Sequence, residues 1–354
     1  MAGGNDDTAF LARLVHRGYL EEGAARKLFE QLKSGGELDA LLVSVAGWSE
    51  KEVRKMRRTN AGEIPEFPGY EILGKLGVGG TAEVFRARAT KTGKTLALKV
   101  LRNDAAKQRG TLQAFVAEAK LLQRLDHKGL VTGFGVAKSG NTYFNRLEYI
   151  PGRTLLEWLD DGRQFDEASA LRVILETAEV LQYLETQDIV HRDVKPGNIM
   201  LTDKDAVVLI DLGFAAEGEG EESAEGSTVG TVAYLSPEQA RGAAGADSRS
   251  DIYSLGVSLF HIVVGRLPFE STDDRELMRM QVMQSLSSPE LKGRGISPHL
   301  HYFIEKMMAK EADHRFQNFA ELIREIREQL DGRDSLDFEA QARSQLSSRR
   351  RRRT

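Results

Sequence analysis

The chain has 354 residues, of which 41% are hydrophobic and 29% charged, a composition typical of a globular protein. Its net charge of -4 argues against a nucleic-acid partner, because nucleic-acid binders usually carry a basic face. It contains no cysteine, which excludes disulfides and thiolate metal sites and fits a reducing compartment, so we expect a cytoplasmic protein.

No segment of the sequence has the length and hydropathy of a membrane span or a signal peptide. The most apolar stretch, residues 252–264, is shorter than the roughly 18 residues of a membrane span and is interrupted by polar side chains. It predicts a buried core helix. The N-terminus lacks the basic start and apolar core of a signal peptide. We therefore expect no membrane span in this chain.

Residues 1–62 are predicted to form a small helical module. Apolar residues recur there at helical spacing, and the related segments 18–22 and 47–52 suggest two helix-turn-helix units. Two interpretations of its role stay open, a docking or packing module and a regulatory or nucleotide-sensing one. Residues 63–69 contain two prolines and no periodicity, which predicts a linker.

The next part of the chain predicts an α+β fold. Residues 70–150 form a small β-rich lobe, in which residues 111–125 have the apolar stripe of an amphipathic helix. Residues 151–330 are mainly helical, apart from short apolar runs at 198–201 and 207–210. The implied architecture is a β-rich lobe followed by a larger helical lobe.

Residues 331–354 are polar and end in a run of arginines. They are predicted to be a disordered, solvated tail with a basic end. Such a short run would bind an acidic membrane surface or partner only marginally.

A glycine-rich segment lies between two strand patterns. Glycines let a hairpin close over phosphate groups and direct amide N–H groups at them. Alone the signal is weak, because a plain glycine-rich β-turn gives the same pattern. No helix pattern follows directly, which argues against a Rossmann or Walker loop. The segment contains Leu76, Gly77, Val78, Gly79, Gly80, Ala82 and Val84.

Two charged residues stand at positions that the apolar pattern predicts to be buried. Lys99 lies inside an apolar strand, and Glu118 lies on the apolar face of the following helix with Phe115 and Leu122. Burying either charge alone is costly. An isolated lysine of this kind would be read as an edge-strand residue in solvent, but an ion pair explains both residues together.

The most specific signal is the string His-Arg-Asp-Val-Lys-Pro-Gly-Asn at 191–198, followed by Asp-Leu-Gly at 211–213. Phosphoryl transfer needs a base to orient the attacking hydroxyl and oxygen ligands to hold Mg²⁺. Asp193, Asn198 and Asp211 supply such oxygens from two loops at strand ends. The string therefore predicts a phosphoryl-transfer site.

With these motifs in this order, the chain resembles the eukaryotic-like (Hanks-type) serine/threonine protein kinases, and most of all the bacterial members. The resemblance covers residues 70–330 and includes Ser-Pro-Glu at 236–238. It implies the bilobal protein kinase fold and transfer of the ATP γ-phosphate, with Mg²⁺ or alternatively Mn²⁺, to serine and threonine hydroxyls of proteins. It leaves the oligomeric state open.

The resemblance also implies a role for each matched residue. Asp193 would accept the proton of the substrate hydroxyl, and Lys195 would steady the γ-phosphate. Lys195 and Thr231 are hallmarks of serine/threonine rather than tyrosine kinases, and we count both with the catalytic residues. Asn198 and Asp211 would be the Mg²⁺ ligands.

Other matched residues would bind ATP or support the catalytic loop. Lys99 would contact the α/β-phosphates while it pairs with Glu118. The predicted adenine-binding residues are Val84, Ala97, Leu147, Glu148, Ile150 and Met200. The predicted structural and regulatory residues are His191, Arg192, Glu238, Asp251 and Arg315. Of these, Glu238 and Arg315 would form a buried ion pair.

Several residues depart from the family pattern. Ala82 occupies the third glycine position of the loop, and Leu212 replaces a phenylalanine. Asn145 and Arg146 stand where apolar strand residues are usual, and we expect Arg146 to reach solvent or an acidic partner. None of these changes removes a chemical group. They therefore argue against the alternative of a pseudokinase scaffold that binds nucleotide without efficient transfer.

Regulation is predicted from the residue before the catalytic aspartate. Arg192 is typical of kinases that are switched on by activation-loop phosphorylation, because a phosphate can pair with it. We expect autophosphorylation, and the candidate phosphosites are Ser223, Ser227 and Thr228. The same loop is rich in glutamate. Two interpretations stay open, a solvated acidic loop and a glutamate that substitutes for the phosphate near Arg192.

Overall fold

The protein is described by a computed structural model that covers residues 3–16, 19–60, 66–212, 215, 232–242, 246–286 and 296–332. The chain divides into two compact units. The first consists of Met1–Gly74 and Ala87–Lys94, and the second consists of Lys75–Arg86 and Thr95–Thr354.

Four helices precede the sheet, as the sequence predicts. They are α1 (Gly3–His16), α2 (Glu22–Lys33), α3 (Leu38–Ser44) and α4 (Glu50–Asn60). Each supplies apolar residues to one small core because its buried positions recur at three- and four-residue spacing. This core contains Phe10, Leu11, Leu14, Leu20, Ala25, Leu28, Leu38, Leu42 and Val53.

One arginine connects three of these helices. Arg57 in α4 forms ion pairs with Asp7 in α1 at 2.6 Å and with Asp39 in α3 at 2.7 Å. Its guanidinium also lies 4.5 Å from the centre of the Phe10 ring. The arginine therefore combines charge pairing with an aromatic contact beside the apolar core.

Five strands form one sheet in the order β1-β2-β3-β5-β4. They are β1 (Tyr70–Val78), β2 (Ala82–Ala89), β3 (Thr95–Leu101), β4 (Gly133–Ser139) and β5 (Thr142–Glu148). The antiparallel register of β3 and β5 places Lys99 opposite Asn145. Residues opposite each other in such a pair project from the same face of the sheet.

The β4–β5 register shifts between Gly133 and Val136, which marks a β-bulge. Arg146 fills this bulge, since its guanidinium donates hydrogen bonds to the carbonyl oxygens of Phe134 at 2.6 Å and Gly135 at 3.2 Å. We expected solvent or an acidic partner for Arg146, and the structure instead gives it main-chain carbonyls that the bulge has turned out of the strand ladder.

The predicted amphipathic helix is α5 (Thr111–Arg124). Its buried side chains are Phe115, Glu118, Ala119 and Leu122. Their spacing puts them on one helical face, so the carboxylate of Glu118 is buried together with the apolar residues.

The rest of the described chain is mainly helical. Its helices are α6 (Leu155–Asp160), α7 (Glu167–Glu185), α8 (Pro237–Ala240), α9 (Ser248–Val264), α10 (Asp274–Met283), α11 (Pro298–Met307) and α12 (319–332). A second antiparallel sheet consists of β6 (Gly152–Thr154), β7 (Ile199–Thr202) and β8 (Val207–Leu209). Together with the five-stranded sheet, these elements form the predicted β-rich and helical lobes.

Helix α9 lies at the centre of the helical part, with buried side chains on all its faces. It begins after Asp247, whose carboxylate accepts a hydrogen bond from the N–H of Arg249, and it ends at Gly265 with a left-handed φ of 78°. A Cβ added to Gly256 would lie 2.7 Å from the Cβ of Met307, so only glycine permits the close approach of α11. Within the described residues, no helix is both long and apolar enough to cross a membrane.

Candidate active site

Lys99 joins two carboxylates from different parts of the chain. Its Nζ lies 2.7 and 2.9 Å from the two carboxylate oxygens of Glu118 in α5, and 3.1 Å from both oxygens of Asp211 after β8. Glu118 is almost fully buried, whereas Asp211 is about one third exposed. The strand therefore presents Lys99 to a buried carboxylate that orients it and to a second one that is open to a ligand.

Charge, rather than burial, sets the protonation state of Lys99. Burial alone would lower the pKa of the ammonium group, but the carboxylates of Asp211 and Glu118 outweigh it and raise the pKa above its ordinary value. Lys99 is therefore a permanent cation at neutral pH. A permanent cation beside an accessible carboxylate suits the binding of a polyphosphate together with a metal ion.

The second group of site residues lies in the loop before β7. The ammonium group of Lys195 lies 2.8 Å from Asp193 Oδ2. The side-chain amide of Asn198 donates to the same oxygen at 2.9 Å and to the carbonyl of Asp193 at 2.8 Å. Because the amide nitrogen of Asn198 is used in this way, its side-chain oxygen is left to act as a ligand.

The other carboxylate oxygen of Asp193 is unusual. Asp193 Oδ1 is buried and has no hydrogen-bond partner among the described residues. Burial raises the pKa of Asp193, and the nearby Lys195 ammonium opposes that rise. A buried carboxylate oxygen without a partner is costly, so a hydroxyl group that donates to it would gain a strong hydrogen bond.

Asp251 in α9 fixes the backbone of this loop. Its two carboxylate oxygens accept hydrogen bonds from the N–H groups of His191 at 2.7 Å and Arg192 at 2.8 Å. Arg192 has a φ of 67°, a left-handed conformation that costs free energy for a residue with a side chain. The two hydrogen bonds from a buried helix compensate that strain and hold the loop that carries Asp193.

His191 contributes to the same loop from its own side chain. Its Nδ1 accepts a hydrogen bond from the N–H of Asp193 at 3.2 Å, and burial lowers the pKa of the ring. The imidazole is therefore neutral, because protonation of Nδ1 would remove the lone pair that accepts the hydrogen bond from the N–H of Asp193.

The predicted pair of Glu238 and Arg315 is present, with Arg315 fully buried and Glu238 about one fifth exposed. The guanidinium binds the carboxylate through two bonds of 2.7 and 2.9 Å, and Ser250 Oγ donates to Glu238 at 2.6 Å. Burial would raise the pKa of Glu238, but the hydrogen bonds and charge of Arg315 outweigh it and lower the pKa to about 2. The pair is therefore ionised at neutral pH.

The glycine-rich segment forms the hairpin between β1 and β2. The N–H of Gly79 donates to the carbonyl of Ala82 at 2.8 Å, and Lys75 pairs with Glu83 at 2.9 Å across the hairpin. Leu76 and Val78 are exposed, although both are apolar. The segment also contains Gly77, Gly80 and Val84, and it continues directly into a strand rather than a helix.

The predicted adenine-binding residues come from four strands, β2, β3, β5 and β7, and from the segment after β5. Ala97 in β3 lies opposite Leu147 in β5, and both are buried. Met200 lies in β7 and is partly exposed. The backbone N–H of Glu148 donates to the carbonyl of Thr132, whereas the N–H of Ile150 has no partner in the described chain. That N–H is available to a ligand.

The donor set at this site fits a magnesium ion. Asp211 and Asn198 each offer an oxygen, while the described residues contain no cluster of three or more His, Cys, Asp or Glu side chains placed to hold a metal. Mg²⁺ is usually held by one or two carboxylates together with phosphate oxygens of the substrate, rather than by a complete protein cage. The two segments that carry these oxygens are adjacent, since the N–H of Ile210 donates to the carbonyl of Asn198 at 3.0 Å. Asp211 also lies 3.1 Å from Lys99, so two protein oxygens meet that description.

Some predicted residues lie outside the described part of the chain. They are Thr231 and the candidate phosphosites Ser223, Ser227 and Thr228.

The structure adds residues that the sequence reasoning missed. Ser236 and Gln239 form a capping box at the start of α8, and Gln239 Nε2 also donates to the carbonyl of Arg192 at 3.0 Å. The signature of Ser followed three residues later by Gln could have revealed the capping box. The bond to Arg192 connects α8 with the loop that carries Asp193.

Comparisons with known proteins agree with this site. A family model described as a protein kinase domain matches residues 70–326. A probable serine/threonine-protein kinase of Clostridium acetobutylicum is 30% identical over 258 residues, which are 73% of this chain and 39% of that protein. A probable serine/threonine-protein kinase of Streptomyces coelicolor is 33% identical over 273 residues, 74% of this chain and 40% of that protein.

A third relative is the serine/threonine-protein kinase PknB of Mycobacterium tuberculosis, which is 33% identical over 260 residues, 72% of this chain and 41% of that protein. The chain thus spans about two fifths of the length of these curated relatives. The relatives are bacterial, as the motifs predicted. Because the family model matches well over half of its residues, this chain belongs to the protein kinase family.

Proposed function

We propose that this chain is an active serine/threonine protein kinase that transfers the γ-phosphoryl group of ATP to hydroxyl groups of proteins. The observation that carries the proposal is Asp193 Oδ1, a buried carboxylate oxygen without a partner among the described residues. The other carboxylate oxygen, Oδ2, is paired with Lys195 and accepts a hydrogen bond from Asn198, and the N–H of Asp193 donates to His191. An acceptor kept free in this way suits the hydroxyl of an incoming serine or threonine.

The remaining residues support the same reaction. Lys99 would hold the α/β-phosphates, with Glu118 fixing its position, and Lys195 would steady the γ-phosphate. Asp193 would orient the hydroxyl and take its proton as the oxygen bonds to phosphorus and the bond to the leaving ADP breaks. Asn198 and Asp211 would hold Mg²⁺, which neutralises phosphate charge when bound, and Mn²⁺ suits the same oxygen ligands.

Regulation and location belong to the same proposal. Arg192 lies next to Asp193, so a phosphate on Ser223, Ser227 or Thr228 would have a cation to pair with, and autophosphorylation would order the loop. The proposed place of action is the cytoplasm, where ATP and protein substrates are both present. The names of the bacterial relatives support serine and threonine as acceptors.

The test is direct. Purified full-length chain is incubated with Mg²⁺ and radiolabelled ATP, with myelin basic protein as acceptor, beside the Asp193→Asn variant. We expect label on serine or threonine of the acceptor and of the chain itself, and a loss of at least about 10³-fold in the variant. Folded wild-type protein that binds ATP with Mg²⁺ and transfers nothing would instead be a pseudokinase scaffold.

A further inference from the structure

A buried polar network lies in the helical part, away from Lys99 and Asp211. Tyr253 in α9 and Gln281 in α10 are fully buried. The hydroxyl of Tyr253 donates to Gln281 Oε1 at 2.7 Å, and Gln281 Nε2 donates to the carbonyl of Ala233 at 2.6 Å. Lys310, just after α11, donates to Tyr253 Oη at 2.9 Å and to the carbonyl of Gln281 at 2.7 Å.

The chemistry of these groups gives the network one direction. The ammonium group of Lys310 can only donate, so Tyr253 accepts from it and must direct its own proton to Gln281. The side-chain oxygen of Gln281 is thereby used as an acceptor. Its amide nitrogen then faces Ala233, whose carbonyl can only accept. The orientation of the Gln281 carboxamide is therefore fixed by its partners on both sides.

The charge of Lys310 is not what the network depends on. Burial, together with the neighbouring Arg315 and Arg241, lowers the pKa of Lys310 to about 8. No carboxylate lies within ion-pair distance of Lys310 in the part of the chain that the structure describes. A neutral amine still carries two N–H groups for its two acceptors, so the direction of the hydrogen bonds persists when the proton leaves.

The network ends on a short 3-10 turn, Val232–Tyr234, which we call the 232–234 turn. Ser254 in α9 donates to the carbonyl of Tyr234 at 2.8 Å, and His261 in the same helix is hydrogen-bonded to the hydroxyl of Tyr234 at 2.8 Å. Side chains from α9 and α10 thus bind two consecutive carbonyls of this turn. Side chains of two core helices therefore fix the position of the 232–234 turn.

The 232–234 turn is connected to the catalytic loop. It leads directly into Ser236 and the capping box of α8, whose Gln239 donates to the carbonyl of Arg192 at 3.0 Å. Arg192 precedes Asp193, where the hydroxyl of a protein substrate would be placed. A displacement of the turn would therefore change the surroundings of the acceptor hydroxyl and leave Lys99 and its carboxylates untouched.

We propose that Gln281 is a positioning residue for the protein substrate, acting through the 232–234 turn and held in place by Tyr253 and Lys310. The inference rests on the proposed protein kinase function. On this proposal, Gln281 influences how tightly the acceptor protein binds but not how tightly ATP binds.

The test compares the same substitution at two glutamines three residues apart, one in α10 and one immediately after it. Gln281→Glu keeps the shape of the side chain but places an oxygen against the carbonyl of Ala233. Gln284→Glu makes the same change at an exposed position one turn later and serves as the control. Steady-state kinetics of full-length chain use myelin basic protein and, separately, ATP as the varied substrate.

For Gln281→Glu we expect the KM for myelin basic protein to rise about tenfold, with kcat and the KM for ATP within about twofold of wild type. Gln284→Glu should resemble wild type in all three constants. Tyr253→Phe keeps the ring but removes the hydroxyl that donates to Gln281 and accepts from Lys310. It should raise the KM for myelin basic protein about threefold. If Gln281→Glu does not melt cooperatively, Tyr253→Phe decides the question alone.

The inference would be overturned if the wild-type chain transfers phosphate and Gln281→Glu has an unchanged KM for myelin basic protein. Where Gln281→Glu does not fold, the same result in Tyr253→Phe would overturn it. So would an equal rise in the KM for ATP, which indicates general distortion of the site. A wild-type chain that transfers no phosphate would refute the proposed function itself, so the two failures are distinguishable.

Discussion

Arg315 binds both carboxylate oxygens of Glu238, at 2.7 and 2.9 Å, although the two residues lie 77 positions apart. The guanidinium also donates to the carbonyls of Arg249, Ala309 and Lys310. All five of its N–H groups are therefore used, and its side chain is fully buried. The pair fixes the start of α8 against the segment between α11 and α12.

Removing this guanidinium should be strongly destabilising. Arg315→Met leaves Glu238 with Ser250 as its side-chain donor and takes a donor from each of three carbonyls, so we expect a loss of about 3–5 kcal/mol in the free energy of unfolding. Urea denaturation of the full chain measures it. Arg324→Met, at an exposed position of α12, is the control and should change stability by less than about 0.5 kcal/mol. Equal effects of the two substitutions would contradict the role of the pair.

The same pair predicts an acid-dependent loss of stability. The pKa of Glu238 is lowered from 4.5 to about 2 in the folded protein, so the unfolded chain binds more protons between these values. The stabilisation is therefore complete above about pH 5 and decreases as the pH falls towards 2. Unfolding free energies measured across this range should fall more steeply for wild type than for Glu238→Gln. Parallel curves would show that Glu238 has no depressed pKa.

Glu118→Gln should weaken ATP binding. The amide still accepts a hydrogen bond from Lys99 but no longer balances its charge, so the ammonium group moves towards Asp211, the remaining carboxylate at 3.1 Å. We expect the KM for ATP to rise by about tenfold, as a loss of about 1.4 kcal/mol of binding implies. Glu328→Gln, an exposed residue of α12, is the matched control. Identical KM values in both variants would rule out a role for the pair in nucleotide binding.

Lys195 should influence the pH at which activity is lost in acid. Its ammonium group lies 2.8 Å from Asp193 Oδ2 and opposes the rise that burial causes in the pKa of Asp193. In Lys195→Met this opposition is removed, the pKa of Asp193 rises further, and the acidic limb of kcat/KM moves to higher pH. Rates measured against pH, with exposed Lys204→Met for comparison, test the direction. A limb that moves to lower pH, or does not move, contradicts it.

The helices before the sheet allow a paired test of their own. Arg57 contacts Asp7, Asp39 and Phe10, whereas Arg54 of the same helix forms one exposed pair with Glu50. We expect Arg57→Met to cost about 1–2 kcal/mol in the free energy of unfolding of this unit and Arg54→Met less than about 0.5 kcal/mol. Thermal melting of the full chain, followed by hydrogen exchange in α1–α4, separates the two. Similar protection in both variants would contradict the contacts of Arg57.

The features that could be predicted from the sequence are those that a local pattern of apolar and charged residues determines. The helix expected at 111–125 is α5, because its apolar spacing is regular over four turns. The approach of Lys99 to Glu118 followed from two charges that each faced the core. Strand β6, in contrast, has only three residues, which is too short to show an alternation of polar and apolar side chains.

Contacts with the main chain could not be predicted in the same way. Gln281 binds a carbonyl that lies 48 residues earlier, and any residue type supplies a carbonyl. Arg146 binds carbonyls that are free only because β4 contains a bulge. Such partners depend on the course of the backbone in space, so no pattern of side chains in the sequence reveals them.

Helix α9 sets the relative positions of three parts of the molecule that surround the catalytic loop. Asp251 holds the loop of Asp193, Tyr253 belongs to the Gln281 network, and Ser254 binds the 232–234 turn. These attachments lie within four consecutive residues, whose relative directions are set by a rotation of about 100° and a rise of about 1.5 Å per residue. A substitution here would remove one attachment, whereas a single inserted or deleted residue would turn whole attachments away from one another. The length of this short stretch is thus under stricter constraint than its composition.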